Sequence, residues 1–221
     1  GFDSGQTHLG DTWEWDGSTW TERFSAVRPS GRVYHAMAFD SARGVTVLFG
    51  GSEGQLPNGV LRNDTWEWDG IAWTERVPVI RPSPRADHAM TFDTARNVTV
   101  LFGGYDGGYD GETWEWDGTS WTMRCVDGPS GRFRHSVAYD SARGLSVLFS
   151  GLNEGCLADT WEYASTAPSD CNANGVPDDC DIANCPSNDP SCQDCNANAI
   201  PDGCELPLPL CACEPVCQCA N

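Results

Sequence analysis

Apolar and polar residues alternate along "HAMAFD" (35 to 40), a tight "SARG" turn follows, and "VTVLFGG" (45 to 51) is a β-branched apolar run closed by a double glycine. In "TWEWD" Trp13 and Trp15 fall on one face with Thr12 and Glu14 on the other, and Asp16-Gly17 supplies a hairpin turn into "TWTER". A period of two marks a half-buried strand, and a short unbroken apolar run ended by glycine marks a strand buried on both faces. The pattern therefore predicts four strands per unit and an all-β fold.

The unit repeats. Trp13, Trp66, Trp114 and Trp161 recur at spacings of 53, 48 and 47, His35, His88 and His135 at 53 and 47, and "FGG" at 49 and 102 returns as "FSG" at 149. Periods of about 50 residues imply stacked supersecondary units. Turn chemistry agrees: position 44 is Gly and its equivalents are Asn97 and Gly144, the residue types that enter the left-handed region at least cost. Taken in order, the strands begin with an outer pair (11 to 23), continue through two complete units, and end with "HSVAYD", "LSVLFS" and "DTWEYA". That predicts thirteen strands, or material for about three four-stranded units with one strand over.

Composition changes the picture after Tyr163, the last aromatic. "ASTAPSD" reads as a linker, so two regions are expected, 1–165 and 166–221. The first carries 23 acids against 13 arginines; the second carries nine acids and no base, and the chain has no lysine. A field of this sign repels phosphate backbones and anionic lipid and concentrates cations, so nucleic acid is not an expected partner. No run reaches the eighteen apolar residues of a membrane span, and no leader opens the chain, so neither membrane insertion nor a native start at residue 1 is expected. Ten of twelve cysteines lie beyond residue 170, a density that points to an oxidising, extracellular setting.

The hydrophobic run, double glycine and spaced aromatics of "VTVLFGG", "NDTWEWDG" and "WTERVPVIRPSPRADH" resemble the Kelch repeat over residues 1 to about 163. The resemblance implies a β-propeller of four-stranded blades, used mostly for binding and only sometimes for catalysis. The chain departs from it in number, because propellers usually have about four to eight blades. His35, His88 and His135 fall in the expected innermost strands and are candidates for a three-imidazole metal site. Their recurrence in every unit, beside Arg32, Arg85 and Arg132, favours a structural role instead, each making the same local hydrogen bond in its own unit. Copper oxidases on Kelch propellers also use axial tyrosine and cysteine, and only Tyr139 occupies a repeated inner position here. The ten tryptophans fit packing of unit on unit better than a sugar-stacking platform. Asn63 and Asn97 open glycosylation sequons, and the irregular "GGYDGGYDGE" places Tyr105 and Tyr109 as the expected ligand loop.

The tail carries the sharpest chemical signal. "DCNANGVPDDCD" (170 to 181) offers Asp170, Asn172, Asn174, the Val176 carbonyl, Asp178 and Asp181 at the ligand positions of an EF-hand calcium loop, with Gly175 at its sharp turn. "DCNANAIPDGCE" (194 to 205) offers Asp194, Asn196, Asn198, the Ile200 carbonyl, Asp202 and Glu205, with Ala199 at the turn. No amphipathic helix flanks either loop, and the segments resemble thrombospondin type 3 repeats and, more distantly, dockerin loops. Calcium is the expected cofactor. Each loop has Cys at positions 2 and 11, so Cys171 with Cys180 and Cys195 with Cys204 are candidate disulfides, as are Cys185 with Cys192 and Cys125 with Cys156, although spacing leaves connectivity open.

Rigid repeats, calcium loops and dense cysteine fit a non-catalytic, secreted structural or adhesive protein. The expectation is a subunit of an extracellular assembly or filament, or part of a larger cell-surface protein, with self-association or other extracellular proteins and glycans as partners. The alternative is a carbohydrate- or protein-binding propeller, with a galactose-oxidase-like enzyme behind it.

Overall fold

The computed structural model describes residues 1, 8–124 and 128–164, and every regular element among them is a strand. β1 (Thr12–Trp15) and β2 (Trp20–Arg23) form a two-stranded sheet. β3 (Ala36–Asp40), β4 (Val45–Glu53), β5 (Val60–Trp68) and β6 (Trp73–Arg76) form a second sheet in chain order. β7 (Ala89–Asp93), β8 (Val98–Tyr105), β9 (Tyr109–Trp116) and β10 (Trp121–Arg124) repeat it, and β11 (Ser136–Asp140), β12 (Leu145–Leu152) and β13 (Cys156–Tyr163) form a fourth sheet of three. All pairings are antiparallel and no sheet closes on itself, which matches the thirteen strands and their grouping expected from the sequence pattern.

Local chemistry explains the hairpins. Asp16 Oδ1 accepts the backbone N–H groups of Ser18 and Thr19, at 2.8 Å each, and Asp69 and Asp117 do the same two and three residues on. These bonds hold the Asp16 carboxyl far below the usual carboxylate range. The following Gly17, with φ +100°, completes the turn. In the 41–44 turn Asp40 Oδ1 takes the N–H groups of Ala42 and Arg43, and Gly44, Asn97 and Gly144 all have φ near +60 to +70°.

The double glycine has a cause outside its own sheet. Gly51 N–H donates to the Arg85 carbonyl and Gly104 N–H to the Arg132 carbonyl, both at 2.9 Å, so each sheet meets the next backbone to backbone. A Cβ on Gly50 would stand 2.8 Å from the Arg85 oxygen, and one on Gly103 2.6 Å from the Arg132 oxygen. Ser150 holds the same left-handed position, with φ +67°. It belongs to the last described sheet, and among the described residues no following sheet stands against it, which fits a serine there.

First strands β3, β7 and β11 lie side by side, joined by Asp87 N–H to the Tyr34 carbonyl (2.8 Å) and Arg134 N–H to the Asp87 carbonyl (2.9 Å). Between the second and third sheets Val47, Phe49, Met90, Leu101, Trp114 and Trp116 bury Trp121, and each such tryptophan removes on the order of 200 Å² from water. Arg32, Arg85 and Arg132 are buried beneath the sheets. Arg32 is bidentate to Asp64 and donates to the Gly50 carbonyl; Arg85 reaches Asp110, Glu112 and the Gly103 carbonyl; Arg132 is bidentate to Asp159 and reaches the Ser150 carbonyl. Such a guanidinium is stable only because every buried donor direction finds oxygen.

Candidate functional site

The hydrogen bonds that the Trp and Tyr side chains of these strands make between sheets follow one rule. Trp68 Nε1 donates to Glu14 at 2.8 Å, Trp116 Nε1 to Glu67 at 3.0 Å, and Tyr163 Oη to Glu115 at 2.8 Å. On the fourth strands Trp73 Nε1 donates to Thr12 (2.8 Å) and Trp121 Nε1 to Thr65 (2.9 Å). Donors thus sit on one sheet and acceptors on the sheet before it. The Trp68 bond is the main reason, ahead of Arg23, that the Glu14 carboxyl lies below its ordinary range.

This rule leaves two bare halves among the described residues. The first sheet carries the donors Trp15 and Trp20 with no sheet before it, and they are 51% and 63% exposed where Trp116 and Trp121 are each 1%. The fourth sheet carries the acceptors Thr160 and Glu162, and Phe149 is 54% exposed where its equivalent Phe49 is fully buried. The bare pair is nonetheless set in the buried geometry. Trp15 and Trp20 have ring centroids 5.4 Å apart at 42°, against 5.6 Å and 44° for Trp68 and Trp73 and 5.5 Å and 38° for Trp116 and Trp121. Cross-strand pairing, Trp15 opposite Trp20, sets that geometry without a neighbour.

The repeated histidines are placed differently from the local bond expected of them. His135 Nε2 donates 3.1 Å to the carbonyl of Phe102 and its ring lies edge-on to Phe102, while His88 lies edge-on to Phe49. Both contacts reach the preceding sheet, so His88 and His135 link units instead of serving their own. A residue in the left-handed conformation, Tyr34, Asp87 or Arg134, precedes each histidine. Burial pushes His35 and His135 down to about 4 and His88 to about 3, with neighbouring arginines Arg32, Arg85 and Arg132 adding to it, so the rings are neutral at pH 7. Between β3, β7 and β11 lies an open groove of ≈ 500 Å³ of mixed character, lined by Met37, Phe39, Phe92 and Tyr139 together with Thr91 and Ser141, and none of the three imidazoles lines it. Among the described residues no three His, Cys, Asp or Glu side chains gather as a metal cage.

Sequence reasoning missed one cluster. The residues before the three histidines, Tyr34, Asp87 and Arg134, share φ of +56 to +59° yet differ in kind. Arg134 Nε donates 3.1 Å to Asp87, and its guanidinium lies over the rings of Tyr34 (5.9 Å) and Phe133 (5.4 Å). Burial raises the Asp87 carboxyl, and Arg134 partly offsets this. The sequence signal was a polar position that varies inside an otherwise repeated segment. Tyr109, from the expected ligand loop, stacks on Phe133 at 5.9 Å and 1°, and Tyr105 tilts against the same ring at 6.0 Å.

Of the sequons, Asn97 is exposed on its turn while Asn63 sits partly buried in β5, its amide 3.5 Å from the Pro82 carbonyl. Cys156 is exposed at the start of β13. Cys125 and all the candidate calcium ligands and disulfides of residues 170 to 205 lie outside the described residues. Comparison with protein-family models and with curated protein sequences finds no match.

Proposed function

We propose that this chain is a non-catalytic, Kelch-type propeller segment with a calcium-binding tail, and that it works as a subunit of an extracellular assembly joined head to tail. The observation that carries the reading is the pair of complementary bare faces. "TWEW" is wholly buried in the second and third sheets and open in the first, and "TWEY" is open in the fourth. Seating the first sheet of one copy on the fourth sheet of another gives Trp15 the Glu162 carboxylate, Trp20 the Thr160 hydroxyl, and the Trp20 ring the Phe149 face, as Trp121 meets Phe49 at 5.2 Å. Such an interface is heterologous, so repeated addition makes a ring or a filament. Net charge of −19 opposes association, so added salt strengthens it.

The test is sedimentation of the full chain over a range of concentrations. The native chain is expected to grow in mass with concentration, whereas Trp20→Ser and Phe149→Ser each block one face and stay monomeric alone. Mixed together, the two variants are expected to stop at one-to-one dimers. A native chain that stays monomeric in high salt overturns the reading. In that case the Tyr34, Asp87 and Arg134 cluster beside Tyr109 favours a ligand-binding module.

A further inference from the structure

We infer that the chain binds a sugar acid where Tyr34, Asp87 and Arg134 meet, with the Arg134 guanidinium reading the carboxylate and the parallel rings of Phe133 and Tyr109 carrying the pyranose. The site shares no residue with the head-to-tail faces and goes beyond that reading, since it stands whether or not copies assemble.

Departures from the repeat collect in one place. Phe133 stands where the earlier units have Val33 and Ala86, the three bridging to Leu152, Ser52 and Tyr105 of their own units. Tyr105 thus replaces Ser52 and Leu152, and Tyr109, paired with Tyr105, replaces Leu61 and Cys156. Three rings gather where the other units hold small or aliphatic side chains. Packing within a unit asks for the same side chain each time, so a cluster that occurs once needs a reason other than architecture. Tyr109 is 46% exposed, and its ring lies parallel to Phe133 at 1° and 5.9 Å, so the pair offers a flat apolar face.

Beside this face Arg134 is held by three neighbours. Its Nε donates 3.1 Å to Asp87, whose side chain is only 10% exposed, and its guanidinium lies over the rings of Phe133 and Tyr34 at 5.4 and 5.9 Å. Backbone bonds from Asp87 N–H to the Tyr34 carbonyl and from Arg134 N–H to the Asp87 carbonyl fix the same three units. The Arg134 side chain is still 51% exposed, and with Nε engaged and rings against its plane, the exposed part is the edge that carries Nη1 and Nη2. A guanidinium edge fixed before its ligand arrives reads a carboxylate bidentately with little further ordering. Arg32, Arg85 and Arg132 are arranged the opposite way, their terminal nitrogens already matched to carboxylates inside the fold.

The ligand follows from the two features together. One ring, Phe133, separates the guanidinium from Tyr109, and a sugar acid carries its carboxylate one bond from its pyranose, so both parts are met at once. A peptide carboxylate lacks the ring, and a neutral sugar lacks the charge. Net charge of −19 opposes every ligand charge beyond the one that Arg134 neutralises, which places a monocarboxylate above phosphate or a polyanion.

The probe is methyl β-D-glucuronide, titrated into the full chain and followed by saturation-transfer NMR, with methyl β-D-glucoside, N-acetyl-glutamate amide and inorganic phosphate as comparisons. Saturable binding of the glucuronide at millimolar concentration or below is expected, with each comparison weaker by about tenfold or more. Arg134→Lys keeps the charge without the fork and is expected to weaken glucuronide binding about tenfold. Tyr109→Ala removes a half-exposed ring and is expected to bring the glucuronide down to the level of N-acetyl-glutamate amide. Trp20→Ser, on a head-to-tail face, is expected to bind the glucuronide as the parent does, which separates this site from assembly. Should Arg134→Lys fail to fold, Tyr109→Ala and the three comparison ligands decide. Absence of saturable glucuronide binding overturns the inference, as does equal binding of the glucoside, of N-acetyl-glutamate amide or of phosphate, unchanged affinity in Tyr109→Ala, or loss of binding in Trp20→Ser.

Discussion

Tyr163 Oη donates to Glu115 at 2.8 Å, from the place in its sheet that Trp116 and Trp68 hold in theirs. The fourth "TWE" motif thus changes its aromatic but keeps the bond to the sheet before it. A phenol and an indole deliver one N–H or O–H to the same carboxylate, which is why the repeat tolerates "DTWEYA".

Removing that hydroxyl isolates its contribution. Tyr163→Phe is expected to lower stability by about 1–2 kcal/mol, and Tyr163→Trp to stay within about 1 kcal/mol of the parent. Urea unfolding midpoints measure both.

Gly103→Ala tests the backbone contact between sheets. Its Cβ meets the Arg132 oxygen at 2.6 Å and sits at φ +65°, so a loss of more than about 2 kcal/mol is expected. Ser150 has the same backbone conformation with no following sheet among the described residues, and Ser150→Gly is expected to change stability by less than about 1 kcal/mol.

The buried histidines set a pH dependence. Above about 6.5, the ordinary histidine value, both folded and unfolded chains hold neutral rings. Below it the unfolded chain takes up protons that the folded chain refuses until about 4 for His35 and His135 and about 3 for His88, so stability falls as pH drops through that window. By pH 5 the loss is on the order of 2 kcal/mol per histidine. Urea midpoints at pH 7 and pH 5 should show it, and His88→Phe should reduce the difference.

Calcium removal addresses residues 170 to 205. With disulfides intact, chelator is expected to speed proteolysis there while leaving tryptophan fluorescence nearly unchanged, because all ten tryptophans lie at or before Trp161. Unaltered protease resistance of the tail in excess chelator removes the calcium assignment.

The strands, their order and their grouping were legible in the sequence because each rests on local physics: period-two alternation, Asp-Gly hairpins, and left-handed turns at Gly44, Asn97 and Gly144. Burial of Arg32, Arg85 and Arg132 was legible only as repetition, since their partners Asp64, Glu112 and Asp159 lie 27 to 32 residues away. The direction of the histidine contacts, the packing reason for the double glycine, and the Tyr34, Asp87 and Arg134 cluster were decided by the tertiary structure. Each depends on which sheet lies beside which, and two sheets of identical sequence pattern carry no local mark of their neighbour. The same physics makes the ends informative. "TWEW" is one string in three places, yet Trp15 is exposed and Trp116 buried, because burial belongs to the neighbour and not to the strand.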